Sequence, residues 1–153
     1  MSQLCHDRTS RFDYYEALKA YRDGLAIRER IVAADRSNAQ WQNDLQFVIE
    51  RIGSLSFDFL LAGDFAQAIA VTDEVIALAP EELWPYTNRA HALMFVGRIE
   101  EARALYLKYR GTKNVWAGKS LEAAILEDFV ELRKAGLVHT LMDEIKKLFT
   151  ARG

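Results

Sequence analysis

The chain has one cysteine, Cys5, in 153 residues. An internal disulfide is therefore excluded, and a reducing compartment is the expected setting. Three histidines, His6, His91 and His139, are too few and too scattered for most metal or nucleophilic centres. Cys5, His6 and Asp7 stand in a row, but a structural zinc site needs two spaced pairs and no second pair exists. No apolar run approaches the ~18 residues of a membrane span. The first residues are polar and carry no signal-peptide pattern. A soluble, cytoplasmic chain with no membrane partner is expected. There is no excess of basic charge: the net is −2, and no general attraction to nucleic acid follows. The only approach to a phosphate loop is Gly118-Lys119-Ser120, where Lys113 stands in place of the first glycine and no strand leads in. No Ser-His-acid or Cys-His arrangement can be built. No catalytic, metal or cofactor site is expected, and the chain reads as non-enzymatic. Two prolines and eight glycines are also too few for a disordered or collagen-like chain.

What is present is helical periodicity, repeated. Half the residues are hydrophobic, and few stretches alternate apolar and polar as a strand does. The segment GDFAQAIAVTDEVI, Gly63 to Ile76, is answered by GRIEEARALYLKYR, Gly97 to Arg110. Gly63 recurs as Gly97, Phe65 as Ile99 and Ala68 as Ala102, each 34 residues later. Each unit reads as helix, tight turn, helix. In the first, Ile52, Leu55, Phe59 and Leu60 share a stripe, then Phe65, Ala68, Ile69, Thr72, Val75 and Ile76 share another. Gly63 suits a left-handed residue past a helix end, Asp64 suits the next N-cap, and Pro80 closes the unit. Small residues, Ser56 with Ala68 and Ala90 with Ala102, stand where two antiparallel helices approach most closely.

These positions resemble the tetratricopeptide repeat (TPR) family. The first unit offers Ile52, Leu55, Ser56, Phe59, Ala68, Thr72 and Pro80, the second Tyr86, Ala90, Leu93, Ala102 and Tyr106. Departures are Ile52 and Thr72 for aromatics, Arg89 for Leu and Asn114 for the closing Pro. Residues 11–35 look like the second helix of a unit whose first helix is missing. Their wording resembles the bacterial kinesin-light-chain-like TPR subgroup, with Phe12 where that subgroup has Gly. The resemblance implies an all-α TPR-type superhelix, a solenoid of antiparallel helix pairs, with a non-repeat C-terminal helical cap.

The expected organisation is as follows. Residues 1–10 lack periodicity and stay mobile. Repeats occupy 11–110: a half repeat at 11–35 entered through an Asp13 cap with Glu16, helix 40–62 with 64–79, and helix 82–96 with 98–110. Asn38 caps the helix that follows the turn at 36–39. The loop 111–119 carries Trp116 as an anchor to the core. The cap is 120–150, with Ser120 and Thr140 as N-caps and Gly136 as a stop.

The resemblance also implies a function: a concave groove that binds a partner peptide or helix. On the groove face stand Phe57, Trp84, Thr87, Asn88, His91 and Met94. Leu60, Leu61 and Phe95 share that side but are expected in the core. The chaperone-type clamp grips a C-terminal carboxylate with Lys, Asn and Arg. Gly53, Phe57 and Trp84 stand on that face here and only Asn88 fits, so that specificity is not expected. Charge is uneven along the chain. Residues 37–102 carry three arginines against ten carboxylates, a net of −7, while 103–153 carry ten basic and six acidic residues, a net of +4. Solvated faces of opposite sign explain that split; so does a core that prefers basic partners, or a tail that pairs with a neighbouring core. The alternative function is structural: a self-assembling segment, with a homodimer through the half repeat, or a piece of a larger signalling protein whose effector domain lies elsewhere. In that alternative the groove is filled by the C-terminal helices.

Overall fold

The computed structural model describes residues 2–151, with side chains from residue 13 onward. Seven helices follow one another: α1 (Ser2–Ala34), α2 (Ala39–Leu61), α3 (Phe65–Leu78), α4 (Trp84–Phe95), α5 (Ile99–Lys108), α6 (Leu121–Lys134) and α7 (Thr140–Thr150). Among the described residues there is no strand; a single isolated bridge joins Trp116 to Lys119. The fold is an all-α, TPR-like helical repeat.

The first helix corrects one expectation. It starts at Ser2, not near residue 11, so residues 2–10 are its first turns and Asp13 lies inside it rather than capping it. The reason is local: no proline or glycine occurs before Gly24. Apolar periodicity reports which turns are packed, whereas helix continues until something breaks it. The Cys5, His6 and Asp7 side chains lie outside the described residues. Among the described residues no group of three or more His, Cys, Asp or Glu could hold a metal ion.

Two hairpins, α2/α3 and α4/α5, share one turn design. At the first, Gly63 (φ +76°) donates to the Leu60 carbonyl at 2.9 Å and Asp64 N–H donates to the Phe59 carbonyl at 2.9 Å. At the second, Gly97 (φ +87°) donates to Met94 at 3.1 Å and Arg98 to Leu93 at 2.9 Å. This is the Schellman arrangement, whose left-handed residue is glycine because a Cβ there is strained. Asp64 then caps α3 by accepting from Gln67 N–H at 3.3 Å. Ser56, Ala68, Ala90 and Ala102 are all fully buried where the paired helices meet. Around them lie Ile52, Phe59, Val71, Val75, Leu93 and Tyr106, each at most 1% exposed. Truncating any of the large aliphatics among these costs on the order of 2–5 kcal/mol.

The third pair, α6/α7, repeats the turn but not the packing. Gly136 (φ +81°) donates to Arg133 at 2.9 Å and Leu137 N–H to Leu132 at 2.9 Å, the same two bonds as before. Gly136 follows Gly97 by 39 residues rather than 34, and the loop between α5 and α6 takes up the difference. Counting from that glycine, Phe129 and Leu141 occupy the positions of Ala90 and Ala102. Bulky groups there keep the helices apart, and a cavity of about 440 Å³ opens beside Leu126, Phe129 and Met142. Ser120 caps α6 as expected, accepting from Ala123 N–H at 3.2 Å. The α7 cap is not Thr140 but His139, whose Nδ1 accepts from Leu141 N–H at 3.0 Å.

Helix α1 packs along α2 and reaches α3, the place of a second helix in a preceding unit. Among its described side chains Leu18 and Leu25 are buried, Tyr14 and Tyr15 pack edge-on against Phe59, and Arg22 pairs with Glu74 at 2.7 Å. Toward its C-terminal end Ile31 is exposed and Val32 is half-buried.

Candidate functional site

First helices α2, α4 and α6 stand side by side on one face, and a cavity of about 460 Å³ lies across them. Helix α2 supplies Glu50, Ser54, Phe57 and Asp58, which share a face because they are spaced three and four apart. Helix α4 supplies Trp84 and Asn88, and α6 supplies Ala124 and Asp128, again one turn apart. Trp116, from the loop between α5 and α6, leans over the opening with its ring 5.9 Å from that of Trp84, edge-on at 60°. Expected as an anchor into the core, Trp116 is in fact 51% exposed.

Trp84 is seated by a gap in α2. A Cβ added to Gly53 would fall 1.8 Å from Trp84 Cη2 and 2.4 Å from Cζ3, so the ring lies directly on the glycine backbone. Asn88 is tied in from the same side: its Nδ2 donates to Ser56 Oγ at 2.9 Å, and Ser56 Oγ–H donates to the Gly53 carbonyl at 2.5 Å. Glycine, serine, tryptophan and asparagine thus form one rigid seam between α2 and α4.

Of the six groove residues expected from sequence, Phe57, Trp84 and Asn88 line the cavity. Thr87, His91 and Met94 do not. Met94 and His91 have no exposed surface, and Thr87 is buried with its hydroxyl bonded to the Trp84 carbonyl at 2.7 Å. All three are buried, and His91 faces Asp128 and Phe129 of α6. Helix α6 therefore covers His91, while its residues Ala124 and Asp128 form a wall of the cavity. Of the three residues expected in the core, Leu60 is buried and Phe95 stacks on Phe65 at 5.0 Å, but Leu61 is exposed.

His91 has a different role. Its Nδ1 lies 2.6 Å from the Tyr106 hydroxyl and its Nε2 lies 3.1 Å from Asp128 Oδ2. Burial first, and the Asp128 charge second, push the Tyr106 hydroxyl well above its ordinary range. Tyr106 therefore keeps its proton; the Asp128 carboxylate only accepts, so in the neutral imidazole Nε2–H donates to it and Nδ1 accepts a hydrogen bond from the Tyr106 hydroxyl. The chain Tyr106–His91–Asp128 links α5, α4 and α6, and Phe129 packs against both rings at 5.5 and 5.7 Å. It has the order of a nucleophile, a base and an orienting acid, but Tyr106 is 1% exposed and no solute reaches its oxygen. Its physical effect is to pin α6 to the second hairpin, and among the described residues no buried side-chain nitrogen or oxygen lacks a partner.

The remaining lining residues, Glu50, Ser54, Asp58, Trp116, Ala124 and Asp128, were not singled out as groove residues from sequence. For Glu50, Ser54 and Asp58 the signal was available, as they continue the helical face that holds Phe57. Asp128 is placed by the histidine, which no spacing rule reveals.

The tetratricopeptide repeat family model matches residues 59–125. The match supports a TPR protein. It begins at the end of α2, takes in both α3 and the α4/α5 hairpin, and ends inside α6. No curated protein and no solved structure matches the chain. TPR repeats generally mediate protein–protein interaction, and members of this family are typically non-enzymatic scaffolds. No helix among the described residues is long and apolar enough to cross a membrane.

Proposed function

We propose that this chain is a non-enzymatic interaction module that holds a peptide or helix of a partner protein across α2, α4 and α6. One observation carries the reading: the cavity on that face is walled by three first helices and lined by the aromatic side chains Phe57, Trp84 and Trp116. Rigid aromatics in a preformed concavity give contact area at low entropic cost, the usual makeup of an interface hot spot. The TPR-type stacking of the helices supports the same face, because it is the side on which successive first helices lie adjacent. The acidic lining disfavours nucleic acid. The wording of α1 supports its place as the second helix of a kinesin-light-chain-like unit.

The test is selection of a displayed random-peptide library on the full chain, followed by affinity measurement with synthetic peptides. Trp84→Ala is expected to weaken them by about tenfold or more. Peptides that bind both forms equally would remove the groove from the account.

A second reading, self-association, is favoured by one feature. Ile27 and Ile31 on α1 are 51% and 39% exposed and flank a smaller cavity with Trp41 and Asp44. Sedimentation over a range of concentrations decides it: a dimer broken by Ile27→Asp supports the second reading, and a concentration-independent monomer sinks it.

A further inference from the structure

The cavity is lined by carboxylates from opposite walls, and that sets what it can hold. Glu50 and Asp58 stand on α2 and Asp128 on α6, while no lysine or arginine lines the space. The cations next to lining residues along the chain are engaged elsewhere: Arg51 lies over the Phe47 ring, Arg89 pairs with Asp73, and Lys119 pairs with Glu127. Two of the three acids have partners within the fold, Glu50 in Gln46 at 3.3 Å and Asp128 in His91. Asp58 has none: among the described residues its carboxylate makes no hydrogen bond and no ion pair, although it is half-buried. Burial pushes its carboxyl above the ordinary range. A fold has no use for such a charge, since an unpaired half-buried carboxylate only lowers stability. Beside it lie the rings of Trp84, Trp116 and Phe57, the groups that attract a desolvated cation most strongly.

We infer that the cavity takes a cationic side chain, arginine or lysine, from an extended basic segment of a partner protein. The guest's charge sits between Asp58 and Asp128, and its aliphatic stem lies on the Trp84 and Trp116 rings. This rests on the groove reading above and adds the sign of the guest. It is opposite to a clamp for a C-terminal carboxylate, which three acids would repel. The acidic segment from residue 37 to 102, at net −7, extends the same attraction beyond the cavity.

The probes are the peptides recovered from the random library, resynthesised and titrated into the full-length chain, the Asp58→Asn/Glu50→Gln double variant and Trp84→Ala. Where Trp84→Ala loses helical circular dichroism, Trp116→Ala, a change at a half-exposed side chain, takes its place. Expected are peptides enriched in arginine or lysine whose affinity falls about tenfold or more in the carboxylate variant, with its thermal midpoint unchanged or raised. Peptides without basic residues, lost in the tryptophan variant but indifferent to the carboxylates, would overturn the cationic guest and leave the groove standing. Peptides indifferent to both variants, or no enrichment at all, would overturn both.

Discussion

Replacing Gly53 with alanine places a methyl carbon 1.8 Å from Trp84 Cη2, where non-bonded carbons rest about 3.5–4 Å apart. The indole must therefore retreat by roughly 2 Å. Two effects compete. Alanine in a helix interior is favoured over glycine by about 1 kcal/mol. Overpacking costs about 1–3 kcal/mol, and losing the Trp84–Trp116 edge contact adds about 0.5–1.5 kcal/mol. The sum is a loss of about 0.5–3.5 kcal/mol, less if the ring swings freely into the cavity. Urea unfolding followed by circular dichroism measures the first quantity. Indole emission, in a Trp41→Phe background, reports the second, and a red shift is expected as Trp84 moves into water. Gly24→Ala is the control, because the group its methyl meets is the mobile end of Arg28, at 2.9 Å. That variant should gain up to about 1 kcal/mol. If Gly53→Ala gained the same amount with unchanged emission, Trp84 would not be seated on Gly53.

Other outcomes follow from the same contacts. Tyr106→Phe leaves the buried His91 Nδ1 without its hydrogen-bond partner, and urea unfolding should show a loss of about 1–3 kcal/mol; a change of only a few tenths would mean the hydroxyl is not bonded. Arg103 joins Glu144 at 2.7 Å and so ties α5 to α7. The Arg103 hydrogen bond holds the Glu144 carboxyl below its ordinary value of 4.5, against a smaller opposing effect of desolvation. A depressed carboxyl stabilises the fold above its unfolded pKa, and that contribution is lost as pH falls through the folded one. Carbon-13 titration should therefore place Glu144 below freely solvated glutamates, and in Glu144→Gln the acid loss of α7 docking should flatten. Asp58 has the opposite sign: its charge costs stability above its raised midpoint, so Asp58→Asn should stabilise the chain at neutral pH and lose that advantage in acid.

What could be read without coordinates divides along physical lines. The first two hairpins were legible because close helix approach demands Ser56, Ala68, Ala90 and Ala102, and a left-handed turn demands Gly63 and Gly97. Both demands fall on single residues. The third hairpin keeps only the glycine; Phe129 and Leu141 hold its helices apart, and a longer loop breaks the phase, so its kinship to the others shows only in the turn hydrogen bonds. The start of α1 was misplaced because packing and helicity are different properties, and residues 2–10 show no apolar rhythm. In the candidate site, Phe57, Trp84 and Asn88, which the family resemblance put on the groove face, line the cavity. The same reading put His91, Thr87 and Met94 on that open face, but they are buried, and the α6 residues Asp128 and Phe129 that meet His91 cannot be seen from spacing along α4. Asp58 looked like any solvated helix carboxylate, since nothing in its neighbours along the chain says that it has no partner.

The most direct measurement is amide and indole shift mapping of the full chain by NMR while a selected peptide is added. A guest held in the concave face moves the indole signals of Trp84 and Trp116 and the amides of Phe57, Asp58 and Ala124, and leaves α3, α5 and α7 nearly still. Shifts confined to α3, α5 and α7, or to Ile27 and Ile31 on α1, would contradict a binding groove across α2, α4 and α6.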